Sequence, residues 1–291
     1  MTPTPYFKVF QLCRSLRMRD TTNSLPIQRF RTIWISDTHL GTRGARAREL
    51  LQFIKHTESQ TLYLVGDIVD GWQLKKNWYW PQLHNDIIQK ILRKARAGTQ
   101  VIYIPGNHDE MARAYTGLSF GDIQIKQDHI HKTVDGKKLW VVHGDLFDHV
   151  IQHARWLAYL GDKAYTVLLS MNTTFNYVRS LLNLPYWSFS QYLKQKVKLA
   201  VSFISSFEKA LATETRRRKC DGIVCGHIHK PEMKFVGDIL YTNDGDWVES
   251  LSALVEHFDG RLEILYWGGQ IDELTASTTL KSNKNFDQAI A

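Results

Sequence analysis

The chain has 291 residues, 43% of them hydrophobic and 23% charged, with a formal net charge of +8. That mix excludes a disordered or collagen-like chain, and three cysteines are too few for a disulfide framework and suit a reducing compartment. No stretch approaches ~20 consecutive apolar residues, which argues against a spanning helix, and the positive excess favours an anionic partner such as a phosphorylated small molecule, nucleic acid or an anionic membrane surface.

Residues 1–31 are rich in Thr, Pro and Arg, with six Lys/Arg against Asp20 alone. They read as a flexible basic arm. No apolar leader segment is evident there. Short apolar runs then alternate with helical stretches. TIWIS (32–36), TLYLV (61–65), QVIYI (100–104), KLWVV (138–142) and GIVC (222–225) read as buried strands. Residues 45–56 and 84–97 read as amphipathic helices between the first three. Strand-helix-strand order implies parallel pairing and an α/β fold.

Residues 151–219 break this rhythm. They are long, helical in pattern and aromatic-rich, and from 163 to 219 ten Lys/Arg face only Glu208 and Glu214. They read as a helical cap inserted into a core made of 32–150 and 220–268. Lys194 and Lys198 in this stretch suit phosphate or lipid headgroup contact. After 230, MKFVG, ILYTN, SALVEH and RLEILY are strands joined by Gly-Asp or Asp-Gly turns, expected to form one antiparallel meander. Residues 269–291 read as a polar tail.

Each of the five core strands runs straight into polar residues: Asp37-Thr-His39, Gly66-Asp67, Asn107-His108-Asp109, His143-Gly-Asp145 and Gly226-His227-Ile-His229. In α/β sheets, ligands gather beyond the carboxyl ends of strands, where loops from different strands converge. Asp, His and Asn without Cys suit a divalent metal such as Mn²⁺, Fe²⁺ or Zn²⁺. The seven ligand candidates among them exceed the needs of one ion and suit two metals, which ~3.5–4 Å apart clamp the attacking and leaving oxygens of a phosphate. Any one of these motifs alone is a weak signal; five in series at strand ends are a strong one. Around them, Arg113, Asp148 and Trp72 are candidate substrate contacts, although core packing serves the aromatic cluster Trp72, Trp78, Tyr79 and Trp80 equally well. Asp145 and Asp148 read as supporting carboxylates. Cys220 and Cys225 read as buried, inert thiols.

The series D-x-H, GD, GNHD, HGD and GHxH resembles the calcineurin-like metallophosphoesterase superfamily over roughly 33–267. The resemblance implies a fold of two stacked β-sheets flanked by helices. It implies that Asp37, His39 and His229 bind one metal, that Asn107, His143 and His227 bind the other, and that Asp67 bridges them. A metal-activated hydroxide would attack the phosphate, with His108 donating a proton or stabilising developing charge and Asp109 fixing its orientation. The spacing, the GDW at 245–247 and the helical insert resemble the UDP-2,3-diacylglucosamine hydrolase branch of lipid A synthesis. His108 stands where that branch is expected to carry Arg, so the chain resembles a longer paralogue. The expectation is a cytoplasmic phosphoesterase or pyrophosphatase, peripheral on the inner face of the membrane, acting on a lipid- or nucleotide-linked phosphate. A nuclease of the same superfamily is the alternative, with no nucleic-acid motif to favour it; a non-enzymatic scaffold is disfavoured because all seven ligands are present.

Overall fold

The structure, a computed structural model, describes residues 26–150 and 204–268, the side chains of 148–150 excepted. The expected arm before 26, Lys194 and Lys198 within the expected cap, the tail after 268 and the side chain of Asp148 lie outside the described residues.

Two mixed sheets stack face to face. The larger contains β1 (Gln28–Ile35), β2 (Thr57–Val65), β3 (Gln100–Ile104), β4 (Ser119–Phe120), β5 (Ile123–Ile125), β11 (Ser252–Glu256) and β12 (Leu262–Tyr266), in the order β12-β11-β1-β2-β3-β5-β4. The smaller contains β6 (His129–Lys132), β7 (Lys138–Val141), β8 (Gly222–Cys225), β9 (Glu232–Val236) and β10 (Ile239–Asn243), in the order β6-β7-β8-β10-β9. β1, β2 and β3 are mutually parallel, as are β7, β8 and β10.

Helices cover both outer faces. α1 (Ala47–His56) turns Leu50, Leu51, Phe53 and Ile54 inward. Glu49 in its first turn and Lys55 and His56 in its last complement the helix dipole. α2 (Gly71–Lys76) is a short helix capped by Asp70, whose carboxylate accepts from Gln73 N. α3 (Gln82–Arg96) begins after Pro81 and buries Ile87, Ile91 and Ala95, four residues apart along one stripe. Each of those isoleucines stabilises the fold by roughly 1.5–3 kcal/mol relative to exposure. α4 (204–217) lies on the smaller sheet, with Phe207, Leu211 and Ala212 buried against Trp140, Val142, Ile223 and Tyr241. Between the sheets, Trp34, Tyr63, Ile102, Ile104, Val141, Val224 and Leu254 form the central core.

Three expectations need correction. β1 starts at Gln28, so the last residues counted with the arm are strand. α4, counted with the cap, is core, because its apolar stripe is the cover for the outer face of the smaller sheet. The four strands after 230 are not one meander. β9 and β10 form one hairpin and β11 and β12 another, and the chain crosses between sheets from β10 to β11. Short apolar runs around a Gly-Asp or Asp-Gly turn mark both hairpins alike and carry no information on which sheet each joins.

The candidate metal centre

The carboxyl ends of β1, β2 and β3 in one sheet, and of β7 and β8 in the other, open toward the same place. The loops that leave them are bonded to one another. Asp37 N donates to Gly66 O and His39 N to Asp67 O, locking the first loop to the second. Eight non-glycine residues of the described chain have positive φ, and five of them are Asp37, His39, Asp67, His227 and His229. Left-handed backbone costs roughly 1–3 kcal/mol per residue and persists where the surroundings over-determine it. Asp and His tolerate it better than most residues, so residue type and backbone agree at these positions.

Two glycines make the approach close enough. A Cβ on Gly106 would overlap the Asp67 carboxylate and the His143 ring. A Cβ on Gly226 would overlap Asp37 Oδ2 and the Ser36 hydroxyl. The glycines that precede NHD and HIH are therefore steric requirements of the site.

Three groups of ligand-type atoms converge, each within 4.8 Å: Asp37, His39 and His229; His39, Asp67 and His108; and Asp67, His143 and His227. The two buried aspartates follow one plan. Asp37 Oδ2 accepts from His227 N at 2.8 Å, and Asp67 Oδ1 accepts from His108 N at 2.8 Å. Their other oxygens, Asp37 Oδ1 and Asp67 Oδ2, are buried and face imidazole nitrogens, His229 Nε2 3.1 Å from the first and His143 Nε2 3.4 Å from the second. Asp67 Oδ2 is the shared point, 4.0 Å from His39 Nε2 and 3.4 Å from His143 Nε2. His143 Nδ1 lies 2.8 Å from Val65 O. Donation to that carbonyl anchors the ring and leaves Nε2 facing Asp67. Asn107 is buried in the same turn, between Gly106 and His108.

The electrostatics ask for cations. Burial works against the charged form of Asp37 and Asp67, yet imidazoles overcome it and hold both carboxyls far below the usual range: chiefly His229 for Asp37 and His143 for Asp67. Burial likewise opposes a charged His143, but Asp67 raises its pKa to about 10. Carboxylates buried at this density need positive charge, from imidazolium protons or from metal. The oxygen and nitrogen donors, the buried carboxylate oxygens and the anchored His143 ring together fit divalent metal ions.

The remaining expected residues divide. His108 stands at the rim of the centre, its Nε2 3.9 Å from Asp67 Oδ2. Its orienter is not Asp109. Asp109 turns back beneath the loops, accepting from Gly106 N at 2.6 Å and Ile68 N at 2.8 Å, with Tyr103 beside it. The carboxylate beside His108 Nδ1 is Asp70, at 2.9 Å. Asp70 Oδ2 also lies 3.3 Å from His39 Nδ1. The signal in the sequence was the second Asp of GDIVDG, at a helix N-cap position and three residues after Asp67. Arg113 does not face the centre with a free guanidinium: it donates to Asp145 Oδ2 at 2.5 Å and to Pro105 O at 3.3 Å. Trp72 does reach the site, its ring 4.4 Å from the His108 ring. Asp244 was missed. It is fully buried behind Asp37, and Ser36 Oγ donates to it at 2.6 Å. Cys220 and Cys225 are free and buried.

Two stacked mixed sheets between helical layers, with Asp, His and Asn donors pooled at the strand ends, define a metallohydrolase-type sandwich. The family described as calcineurin-like phosphoesterase matches residues 30–231, and the chain belongs to it. A UDP-2,3-diacylglucosamine hydrolase from Chromohalobacter salexigens is 24% identical over 196 residues, 66% of this chain and 69% of that one. Among solved structures, a single mutant of Vps29 from Entamoeba histolytica covers 80% of this chain and 96% of its own, at 16% identity and TM-score 0.39. The phosphoesterase YfcE from E. coli covers 81% and 98%, at 14% identity and TM-score 0.38. Among the described residues no helix is long and apolar enough to cross a membrane.

Proposed function

We propose that the protein is a two-metal phosphoesterase that hydrolyses a phosphate ester or pyrophosphate bond in a lipid- or nucleotide-linked substrate resembling UDP-2,3-diacylglucosamine. The observation that carries this reading is the position of Asp67 Oδ2, buried and common to the His39 and His143 groups. Asp37, His39 and His229 would hold one ion, and Asn107, His143 and His227 the other, with Asp67 shared. Divalent ions bound there supply Lewis-acid polarisation of the phosphoryl group and activation of water; Mn²⁺ is our first choice.

The chain's own residues do the rest. His108 N–H and His227 N–H hold the two aspartates so that one oxygen of each faces the cavity. Asp70 sits against His108 Nδ1, which leaves Nε2 toward the centre, where it can hand a proton to a leaving oxygen. Trp72 packs on the His108 ring and limits its rotation. The similarity to a UDP-2,3-diacylglucosamine hydrolase supports the substrate class. The basic composition supports an anionic substrate and contact with an anionic membrane surface from the cytoplasmic side.

The test is a hydrolysis screen with Mn²⁺ across UDP-diacylglucosamine, other nucleoside diphosphate compounds and lipid phosphates, paired with metal analysis of the purified protein. We expect two equivalents of metal and turnover abolished by chelator. Turnover that persists in excess chelator, or a stoichiometry of one, would overturn the two-metal reading. Activity confined to nucleic acid would replace the substrate class.

A further inference from the structure

We propose that the loop joining α2 to α3 is a membrane-docking element that seats the mouth of the metal centre on an anionic bilayer surface. The proposal rests on the lipid-linked reading above for its purpose, and on the following geometry for its substance.

Trp78 is the most exposed large apolar side chain among the described residues, at 75%. Its ring centre lies 6.4 Å from that of Trp80. Trp72, in the helix that leads into the loop, is also exposed, at 38%, and touches the His108 ring. Cations frame this surface. Lys75 and Lys76 close α2 and are exposed. Arg43 lies with its guanidinium 4.7 Å from the centre of the Tyr79 ring.

The loop is held from behind. Trp80 Nε1 donates to Asn85 Oδ1 at 2.9 Å, and the Trp80 ring meets His84 edge-on at 5.2 Å. His84 Nδ1 in turn accepts from Gly41 N, two residues beyond the ligand His39. So the same loop that carries metal ligands anchors the base of the aromatic loop. The cations in the last turn of α2 are explained by the helix dipole. The exposed indole beside them is not.

Indoles with an apolar body and one N–H settle at the boundary between headgroups and acyl chains. Lysines at that depth meet anionic headgroups, each worth roughly 1 kcal/mol or ~5-fold in partition. A nucleic-acid platform would need bases to stack along a basic groove. Here the rings of Trp78 and Trp80 are tilted 36° to one another, and Trp78 stands at the exposed tip of the loop.

The experiment is sedimentation of the full chain with vesicles of 3:7 phosphatidylglycerol to phosphatidylcholine, scored without substrate, so that docking and the substrate class fail separately. Trp78→Ser should weaken partition by at least ~10-fold at both low and high salt, the scale of losing a buried aromatic. Lys75→Gln with Lys76→Gln should weaken it ~25-fold at low salt and little at high salt, where screening removes the charge contribution. Both variants should keep wild-type hydrolysis of a small soluble phosphodiester, and the lysine pair gives an independent reading should Trp78→Ser fold poorly. The proposal is overturned if the wild-type chain does not sediment. It is equally overturned if both variants partition within twofold of wild type, or if they lose duplex DNA binding while keeping vesicle binding.

Discussion

Asp70 reaches two imidazoles of the candidate centre with one oxygen: Oδ2 lies 2.9 Å from His108 Nδ1 and 3.3 Å from His39 Nδ1. Burial disfavours its charge, yet hydrogen bonding with His108 and His39 keeps the carboxyl well below the usual range. Its other oxygen caps α2. Asn can cap as well as Asp, so Asp70→Asn should fold with little change in melting temperature. It removes the negative charge behind both imidazoles. We expect kcat to fall ~10–100-fold, the usual cost of losing a residue that orients a ligand, with a changed pH profile. Unchanged kcat and pH profile would remove Asp70 from the mechanism.

Asp67→Ala deletes the oxygen shared by the two groups. Activity should drop by more than that ~10–100-fold range, and titration with Mn²⁺ should show fewer sites than wild type. Retention of two sites with near-normal turnover would defeat the bridging assignment.

Gly106→Ala is the smallest change that should disable the centre. The new methyl group and the Asp67 carboxylate claim the same space. Either Asp67 rotates away or the GNHD turn shifts, and both lower metal affinity. Calorimetric Mn²⁺ titration of the folded variant is the measurement, and a wild-type isotherm is the result that would contradict the steric argument.

Glu256 clamps the two sheets away from the centre. From β11 it accepts from Arg31 at 2.6 Å and Thr32 at 2.9 Å, both in β1, from Val134 N at 2.9 Å, and lies 2.9 Å from His131 Nε2 on β6 in the other sheet. Burial would raise its pKa, but these hydrogen bonds, His131 first, bring it down to about 2 from 4.5. Between those values the unfolded chain binds more protons, so stability rises with pH through that window. The contribution is complete above about pH 4.5 and lost as pH falls toward 2. Glu256→Ala should cost about 3 kcal/mol at neutral pH, since it leaves buried donors unmatched. It should also flatten the acid limb of stability in urea melts. A wild-type acid limb in the variant would assign acid unfolding to other carboxylates.

The residues that gather at the strand ends were legible because each part of the cluster is local. A short β-forming run ending in Asp, His or Asn needs no distant partner to be recognised, and the order of five such runs is carried by the chain itself. The helices α1 and α3 were legible for the same reason, since an apolar stripe at 3.6-residue spacing declares its buried face. What the sequence alone determined is thus the list of chemical groups and the strand ends that deliver them.

Tertiary structure decided which group serves which. Asp109 adjoins His108 in sequence, but the turn carries its carboxylate back to Gly106 and Ile68, and Asp70 from the preceding strand-end loop takes its place. Arg113 was a free cation on the page and is engaged by Asp145, 32 residues away. Glu256 sits in a strand whose other residues are all buried, with nothing nearby in sequence to say that Arg31 and His131 would meet it. The two hairpins after 230 are alike as short apolar strands around a Gly-Asp or Asp-Gly turn, yet join different sheets. Pattern reports which side of a strand is apolar; pairing depends on which edge is available when the sheets close, and hydrogen-bond partners of buried charges are chosen by proximity in space. That choice is made only when the whole chain packs, because an unpaired polar group costs too much to bury.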